Sequence, residues 1–155
     1  MSLLDISPRT KLTQNFRYHE VIDSDWATRH GIDNRLPEEL WENALAMAHF
    51  MEIVRSELNR PINVSSWFRN DIVNAGVGGS KTSMHPKAMA VDFRSPFGTP
   101  LEVCNALVSI GLEFDQLIYE GTWTHIGITT GTPRRQIMTA KFPNGKAVYS
   151  PGINP

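Results

Sequence analysis

Two short runs rich in β-branched and aromatic residues lie close together in residues 114–128, FDQLIYEGTWTHIGI. Gly121 and Thr122 separate the runs, and a short break that contains glycine between two such runs is typical of a β-hairpin. The sequence therefore predicts strands at 114–120 and 123–129, which pair in the antiparallel direction across a tight turn.

A second hairpin is predicted nearer the C-terminus. Residues 136–142 and 147–150 have strand character and flank Pro143-Asn-Gly145, a turn signal because Asn and Gly accept the backbone angles of tight turns. Residues 151–155 contain two prolines, which cannot donate to a strand ladder, so we expect an irregular tail.

The longest helix is predicted to begin at Pro37, because proline is favoured at a first helical position, and to end before Pro61. Its apolar residues recur at intervals of three or four, the pattern of a helix with one buried face. These residues are Leu40, Ala44, Ala48, Met51, Val54 and Leu58. Shorter helices are predicted at 25–30, with Ser24 as the cap, and at 70–77.

A capping box marks the start of one more helix. Thr99 and Glu102 have the spacing of this motif, and the helix is predicted to run to Ile110 and to end at Gly111. Helices thus come first along the chain and hairpins later. This order predicts an α+β fold with a mainly antiparallel sheet and helices packed on it.

The composition bounds the size and the class of the protein. A chain of 155 residues without a linker or a repeat predicts one domain over 1–155, with irregular termini at 1–12 and 150–155. Lys and Arg number 15 and Asp and Glu number 16, so the net charge of −1 gives no reason to expect a nucleic-acid partner. Cys104 is the single cysteine, which excludes a disulfide framework and a multi-cysteine metal site within the chain.

Neither a membrane span nor a secretion signal is visible. No apolar run reaches the ~18 uncharged residues of a membrane-spanning helix, so we expect no membrane insertion. Residues 1–12 lack the apolar region of a secretory signal peptide, so we expect the chain to be made in the cytoplasm without one.

Two histidines and an aspartate have unusual sequence surroundings. Asp92 lies inside the apolar run 88–93, and a carboxylate in a buried strand is costly unless it is paired or binds a metal. His125 lies inside a predicted strand, and His85 follows a loop of small residues. Two imidazoles and one carboxylate, with a fourth position open, form the ligand set of a catalytic zinc ion.

The same residues also permit a structural interpretation. Asp92 can be a buried acid that pairs with Arg69 or Arg94, with His85 and His125 unrelated to it. We expect the other three histidines, His19, His30 and His49, to be structural. His49 lies in the long helix, where we expect it to be at least half-buried.

The residues around His85 resemble a family signature. Ser83-Met-His85-Pro-Lys-Ala-Met-Ala90-Val-Asp92 is similar to the Ser-x-His and Ala-x-Asp signature of the zinc D-Ala-D-Ala carboxypeptidase family, which includes phage cell-wall endopeptidases. Residues 64–69 and 73–83 resemble the strand and the glycine-rich loop that precede this signature. Residues 114–125 resemble the closing hairpin of the family. The resemblance covers roughly residues 13–130.

The resemblance implies a fold of the hedgehog and D-Ala-D-Ala peptidase type and three zinc ligands, His85, Asp92 and His125. It also implies a general base. Glu120, five residues before His125, stands where the phage-associated branch of the family has its acid. Asp115 is the alternative base, although it lies at the far end of its strand.

The resemblance also implies something about three further residues. Arg69 is expected to bind a substrate carboxylate through paired hydrogen bonds, which a planar guanidinium makes better than lysine does. Ser83 either hydrogen-bonds the substrate or caps its own loop. Ala88 stands where the family usually has glycine, and a positive φ there costs an alanine about 1 kcal/mol.

The function implied by the resemblance is a zinc metallopeptidase that hydrolyses peptide bonds of peptidoglycan, as a carboxypeptidase or an endopeptidase. We expect a monomeric phage or prophage enzyme, either an endolysin or a virion component, that acts at the bacterial cell wall in the periplasm. Two alternatives are a non-catalytic zinc-containing module that binds cell wall or peptide, and a structural virion protein on the same fold. Glu120 distinguishes the enzyme from the binding module, because only an enzyme needs a base.

Overall fold

The computed structural model describes residues 2–155, which contain five α-helices and six β-strands. The helices are α1 (Tyr18–Ile22), α2 (Asp25–Arg29), α3 (Trp41–Leu58), α4 (Asp71–Gly76) and α5 (Pro100–Ile110). The strands are β1 (Asn63–Ser66), β2 (Ala90–Arg94), β3 (Gln116–Tyr119), β4 (Thr124–Gly127), β5 (Gln136–Lys141) and β6 (Val148–Pro151). The strands form one sheet in the order β1-β2-β4-β3-β5-β6, so the predicted α+β class is confirmed.

Backbone contacts group the chain into two compact units. The first consists of the residues up to Glu52 together with Ser65–Val91. The second consists of Ile53–Val64 together with Asp92–Pro155. Helices α1, α2 and α4 belong to the first unit, whereas α5 and strands β3 to β6 belong to the second.

Apolar side chains of α3 and aromatic rings fill the first unit. Of the six residues in the predicted stripe, Leu40 is only partly buried and the other five are buried, with Ala44, Ala48 and Met51 fully enclosed. Phe16 packs edge-on against Trp67, with ring centroids 6.1 Å apart. Among the described residues, no helix combines the length and the apolar character needed to cross a membrane.

The start of α3 differs from the prediction. Pro37 has extended backbone angles, φ −60° and ψ 141°, and it precedes a short 3₁₀ turn over Glu38–Leu40. The α-helix begins only at Trp41. The reason is tertiary, because Pro37 forms a β-bridge with Leu3 and therefore stays extended.

Helix α1 has no counterpart in the sequence prediction. Its five residues are too few to show an apolar period, and tertiary contacts hold it instead. The buried Tyr18 hydroxyl accepts a hydrogen bond from the Leu36 N–H at 3.0 Å, and burial raises the pKa of this hydroxyl.

The predicted helix caps are confirmed. Ser24 Oγ accepts from the Ala27 N–H at 3.1 Å. Thr99 Oγ1 accepts from the Glu102 N–H, and Glu102 Oε1 accepts from the Thr99 N–H, so the capping box is complete. Gly111 ends α5 with a φ of 77°, a conformation that glycine adopts without the steric cost of a side chain.

Both predicted hairpins are present in the second unit. β3 and β4 pair antiparallel with Ile118 opposite His125, and β5 and β6 pair antiparallel with Ala140 opposite Tyr149. β3 also pairs with β5 in the parallel direction, which local turn signals do not reveal. The sheet is therefore mostly, and not wholly, antiparallel.

The C-terminal tail is more regular than predicted. Pro151 ends β6 opposite Met138, and the Gly152 N–H donates to the Ile137 carbonyl at 2.9 Å. Proline is tolerated there because β6 is an edge strand, where a missing donor breaks no central ladder.

Asp115 is buried in an ion pair just before β3. Arg134 Nε donates to Oδ1 at 3.0 Å and Nη2 donates to Oδ2 at 2.8 Å, while the Arg134 main-chain N–H also donates to Oδ1. These donors hold the pKa of the Asp115 carboxyl below its usual range. The pair anchors the loop that leads into β5.

Replacing Arg134 by methionine is expected to lower the free energy of unfolding by about 2 kcal/mol at neutral pH, because the buried Asp115 carboxylate loses its charged donors. A carboxyl whose pKa is lower in the folded state stabilises the fold above its unfolded pKa of about 4, and this stabilisation is lost as the pH falls through the folded value. Chemical denaturation at a series of pH values should therefore show the variant and the wild type converging in acid. Arg9→Met, at an exposed position, is the control. A difference that stays constant in acid would contradict this account.

Candidate metal centre

Asp92 and His125 meet on strands β2 and β4. Both residues are buried, and His125 Nδ1 lies 2.8 Å from Asp92 Oδ1. Val91 and Phe93, the neighbours of Asp92 on its strand, are fully enclosed. A carboxylate in such surroundings requires a polar partner, and the imidazole is one.

The register of the β3–β4 hairpin places Glu120 on the same face as His125. Ile118 lies opposite His125, and the Glu120 N–H donates to the Trp123 carbonyl at 3.2 Å, which continues the pairing toward the turn. Alternate residues of a strand share a face, so Ile118 and Glu120 point to the same side as His125. Diagonal neighbours of this kind are about 7–8 Å apart, within the reach of a long side chain.

Arg94 stabilises the turn of this hairpin through a hydrogen bond. Its Nε donates to the Thr122 carbonyl, and Gly121 beside it has a φ of 82°, which favours glycine. Arg94 follows Asp92 by two residues on β2. The strand that supplies the candidate carboxylate ligand therefore also holds the turn next to Glu120.

Main-chain contacts orient His85. Its Nδ1 donates to the Trp67 carbonyl at 2.6 Å, and since a carbonyl only accepts, the neutral ring has its lone pair on Nε2. A backbone carbonyl on one ring nitrogen is the usual arrangement when the other nitrogen binds a metal. Ser83 Oγ accepts from the His85 N–H at 3.1 Å, so Ser83 caps the loop, the second of its two predicted roles.

An alanine occupies the left-handed conformation directly after this turn. Ala88 ends the short 3₁₀ turn over His85–Lys87 with φ 60° and ψ 22°, so the positive φ considered for this position is present. Its N–H donates to the His85 carbonyl at 3.0 Å, and its own carbonyl accepts from Trp67 Nε1 at 3.0 Å. These hydrogen bonds help to hold a conformation that costs alanine about 1 kcal/mol.

Three side chains bring metal-binding atoms together. One ligand atom from each of His85, Asp92 and His125 lies within 4.8 Å of the other two, and all three residues are buried. Zinc bonds of about 2.0–2.2 Å place ligand atoms roughly 3–4 Å apart, so small side-chain shifts suffice for binding. Two imidazoles and a carboxylate leave one position for water or substrate, and this donor set also suits other transition metals. Residues 2–155 contain no second group of three that meets this spacing.

Arg69 is oriented by a separate network. Its Nε donates to Ser66 Oγ at 3.1 Å and its Nη1 donates to Asn74 Oδ1 at 3.2 Å. The buried Asn74 also donates through Nδ2 to the Ser80 carbonyl at 3.1 Å. A Cβ at Gly79 would lie 2.1 Å from Asn74 Oδ1, so this position requires glycine. Asn74 thus connects Arg69 with the glycine-rich loop.

Other candidate groups lie outside the cluster. The ion pair with Arg134 gives Asp115 a structural role and leaves Glu120 as the predicted base. Burial, with a further contribution from the charge of Glu120, raises the pKa of the Cys104 thiol to about 11, so this thiol stays protonated at neutral pH. His49 is exposed on α3, which shows that the prediction of a half-buried residue was wrong.

Sequence reasoning identified the candidate ligands but missed the role of two residues that orient the site. Trp67 contacts His85 through a main-chain carbonyl, which every residue type possesses, so no spacing reveals it. The only sequence feature related to the role of Asn74 is the glycine at position 79. The contact between these two residues is visible only in the folded loop.

The fold and the converging side chains define a class, α+β proteins with a buried site of two histidines and an aspartate that is suited to a catalytic metal. A family model described as Peptidase M15 matches residues 14–127. Because the match spans well over half of the chain, the protein belongs to the peptidase M15 family, which comprises zinc-dependent peptidases of the D-Ala-D-Ala carboxypeptidase type. A search of curated proteins finds no match.

Protein purified without added metal is expected to contain about one equivalent of zinc, and His85→Ala and Asp92→Asn are expected to lose it, because each removes one of three ligands. Elemental analysis of the purified proteins measures this content. His49→Ala, which removes an exposed imidazole outside the cluster, is the matched control and should keep the metal. A wild-type protein that neither contains nor takes up zinc would refute the site.

Proposed function

We propose that this M15 peptidase is a zinc enzyme that hydrolyses peptide bonds of peptidoglycan, as a carboxypeptidase or an endopeptidase. The observation that carries the proposal is the convergence of His85, Asp92 and His125 within a chain of the peptidase M15 family. Burial of all three residues supports it further, because a buried carboxylate between imidazoles has little structural benefit compared with apolar side chains of similar size.

The proposed reaction divides the work between a metal and the residues beside it. Zinc at the three ligands supplies Lewis-acid activation of a water molecule and of the scissile carbonyl. Glu120 accepts the proton from the attacking water and donates it to the leaving amine, so one carboxylate serves first as base and then as acid. Its place on the face of His125 supports this role.

Arg69 is the proposed binder of a substrate carboxylate. Peptidoglycan peptides carry free carboxylates, and a guanidinium binds them through two parallel hydrogen bonds. Ser66 and Asn74 fix the plane of the Arg69 side chain, which reduces the entropy lost when a substrate binds. Ser83, whose hydroxyl lies beside the His85 main chain, is the proposed second contact to the substrate.

The proposed biological setting is lysis or entry of a bacteriophage. The position of Glu120, where the phage-associated branch of the family has its acid, supports an endolysin or a virion enzyme that reaches the bacterial cell wall. The proposed enzyme acts as a monomer on single peptide stems or cross-links.

Glu120→Gln is expected to keep its metal and to hydrolyse peptide bonds about 100-fold to 10,000-fold more slowly, because the amide cannot take up the proton. The assay incubates purified peptidoglycan with the metal-loaded protein and measures the release of new amino groups. Glu113→Gln, at an exposed position just before β3, is the matched control and should remain active.

Two results would count against the proposed reaction. If wild type binds zinc but releases no amino groups from peptidoglycan, a non-catalytic binding module or a structural virion protein is favoured. If Glu120→Gln is as active as wild type, another group acts as the base.

Arg69→Lys is expected to raise KM about 10-fold to 100-fold with a much smaller change in kcat, because lysine replaces a charged two-bond contact by a single donor. Steady-state kinetics on a soluble stem peptide measure both constants. The loss should disappear for the same peptide with its carboxylate amidated. Arg60→Lys, at an exposed position, is the control. An equal KM effect on both peptides would show that Arg69 is structural.

A further inference from the structure

We propose that Trp67 is a positioning residue for the metal centre, because its indole N–H sets the backbone turn that presents His85. This inference rests on the metal site of the proposed function, and its test separates the two. Trp67 is fully buried, and in the sequence it stands 18 residues before His85.

Three hydrogen bonds join the segment that contains Trp67 to the turn that contains His85. His85 Nδ1 donates to the Trp67 carbonyl at 2.6 Å, and the Arg69 N–H donates to the His85 carbonyl at 3.3 Å. Trp67 Nε1 donates to the Ala88 carbonyl at 3.0 Å. Only the last of these depends on the side chain at position 67, so only this bond makes tryptophan necessary.

The indole bond acts at the strained point of the turn. Ala88 is fully buried and has a φ of 60°, where a side chain is disfavoured relative to glycine. Without the indole donor, the Ala88 carbonyl becomes a buried acceptor that has lost its partner, and the residue is free to relax toward a negative φ. Because the Ala88 N–H closes the turn on the His85 carbonyl, such a relaxation moves the imidazole.

A purely structural role for Trp67 makes a different prediction. The ring packs against Phe16, so a large side chain at position 67 fills the core whether or not it has a hydrogen-bond donor. In that case phenylalanine at position 67 lowers stability and leaves metal binding unchanged. The two roles are therefore separable by a substitution that keeps the ring and removes the donor.

The experiment measures the zinc dissociation constant of Trp67→Phe by competition with a chromophoric chelator. The main-chain carbonyl that accepts from His85 is present in every variant, so the measurement isolates the indole bond. We expect zinc to bind about tenfold or more weakly than to wild type, the usual consequence of losing a residue that orients a metal ligand. The visible spectrum of the cobalt-loaded protein should change as well, because it reports ligand geometry.

Two further variants make the result specific. Ala88→Gly in the Trp67→Phe background is expected to restore most of the zinc affinity, because glycine adopts the positive φ without help. Phe16→Leu removes the neighbouring ring, lowers the melting temperature and keeps the indole donor, so its zinc affinity should stay within about twofold of wild type.

The outcomes distinguish this inference from the metal site itself. A wild-type protein without zinc affinity overturns both. Wild-type zinc affinity in Trp67→Phe overturns the positioning role alone. Equal losses in Phe16→Leu and Trp67→Phe assign the effect to core packing, and so does a failure of Ala88→Gly to restore binding.

Discussion

A carboxylate buried in the middle of an apolar strand is the constraint on which the rest of the structure depends. Asp92 lies between fully enclosed residues of β2, where an ionised side chain without a partner is strongly unfavourable. The sheet meets this requirement by placing β4 beside β2, which brings the His125 imidazole to 2.8 Å. The placement of β4 beside β2 therefore also supplies the polar partner that the buried carboxylate needs.

The remaining candidate ligand is presented by a turn and not by a strand. His85 sits on a short 3₁₀ turn that ends at Ala88 in a conformation disfavoured for alanine. Local strain of this kind persists only where surrounding contacts outweigh it, and such places cluster at functional sites. The indole of Trp67 is one of those contacts, and the Trp67 carbonyl fixes which imidazole nitrogen has the lone pair.

The charged groups of the second unit differ in what they contact. Asp115 faces the guanidinium of Arg134 and serves the fold. Arg94 holds the turn beside Glu120 through a main-chain carbonyl. Glu120 shares the face of His125 because the hairpin register leaves no other choice, since a slip of one residue would turn its side chain to the opposite side.

The sequence by itself determined the elements whose signals are local. The caps at Ser24 and Thr99 and the turn at Gly121 depend on neighbours within four residues, so their patterns are visible in the chain. It also determined which residue types could form the site, because an acid in an apolar strand stands out. Only the tertiary structure decided the parallel pairing of β3 with β5, the existence of α1, and the roles of Trp67 and Asn74. The reason is physical, because these features depend largely on hydrogen bonds to main-chain groups beyond the local turn, and every residue offers the same main chain.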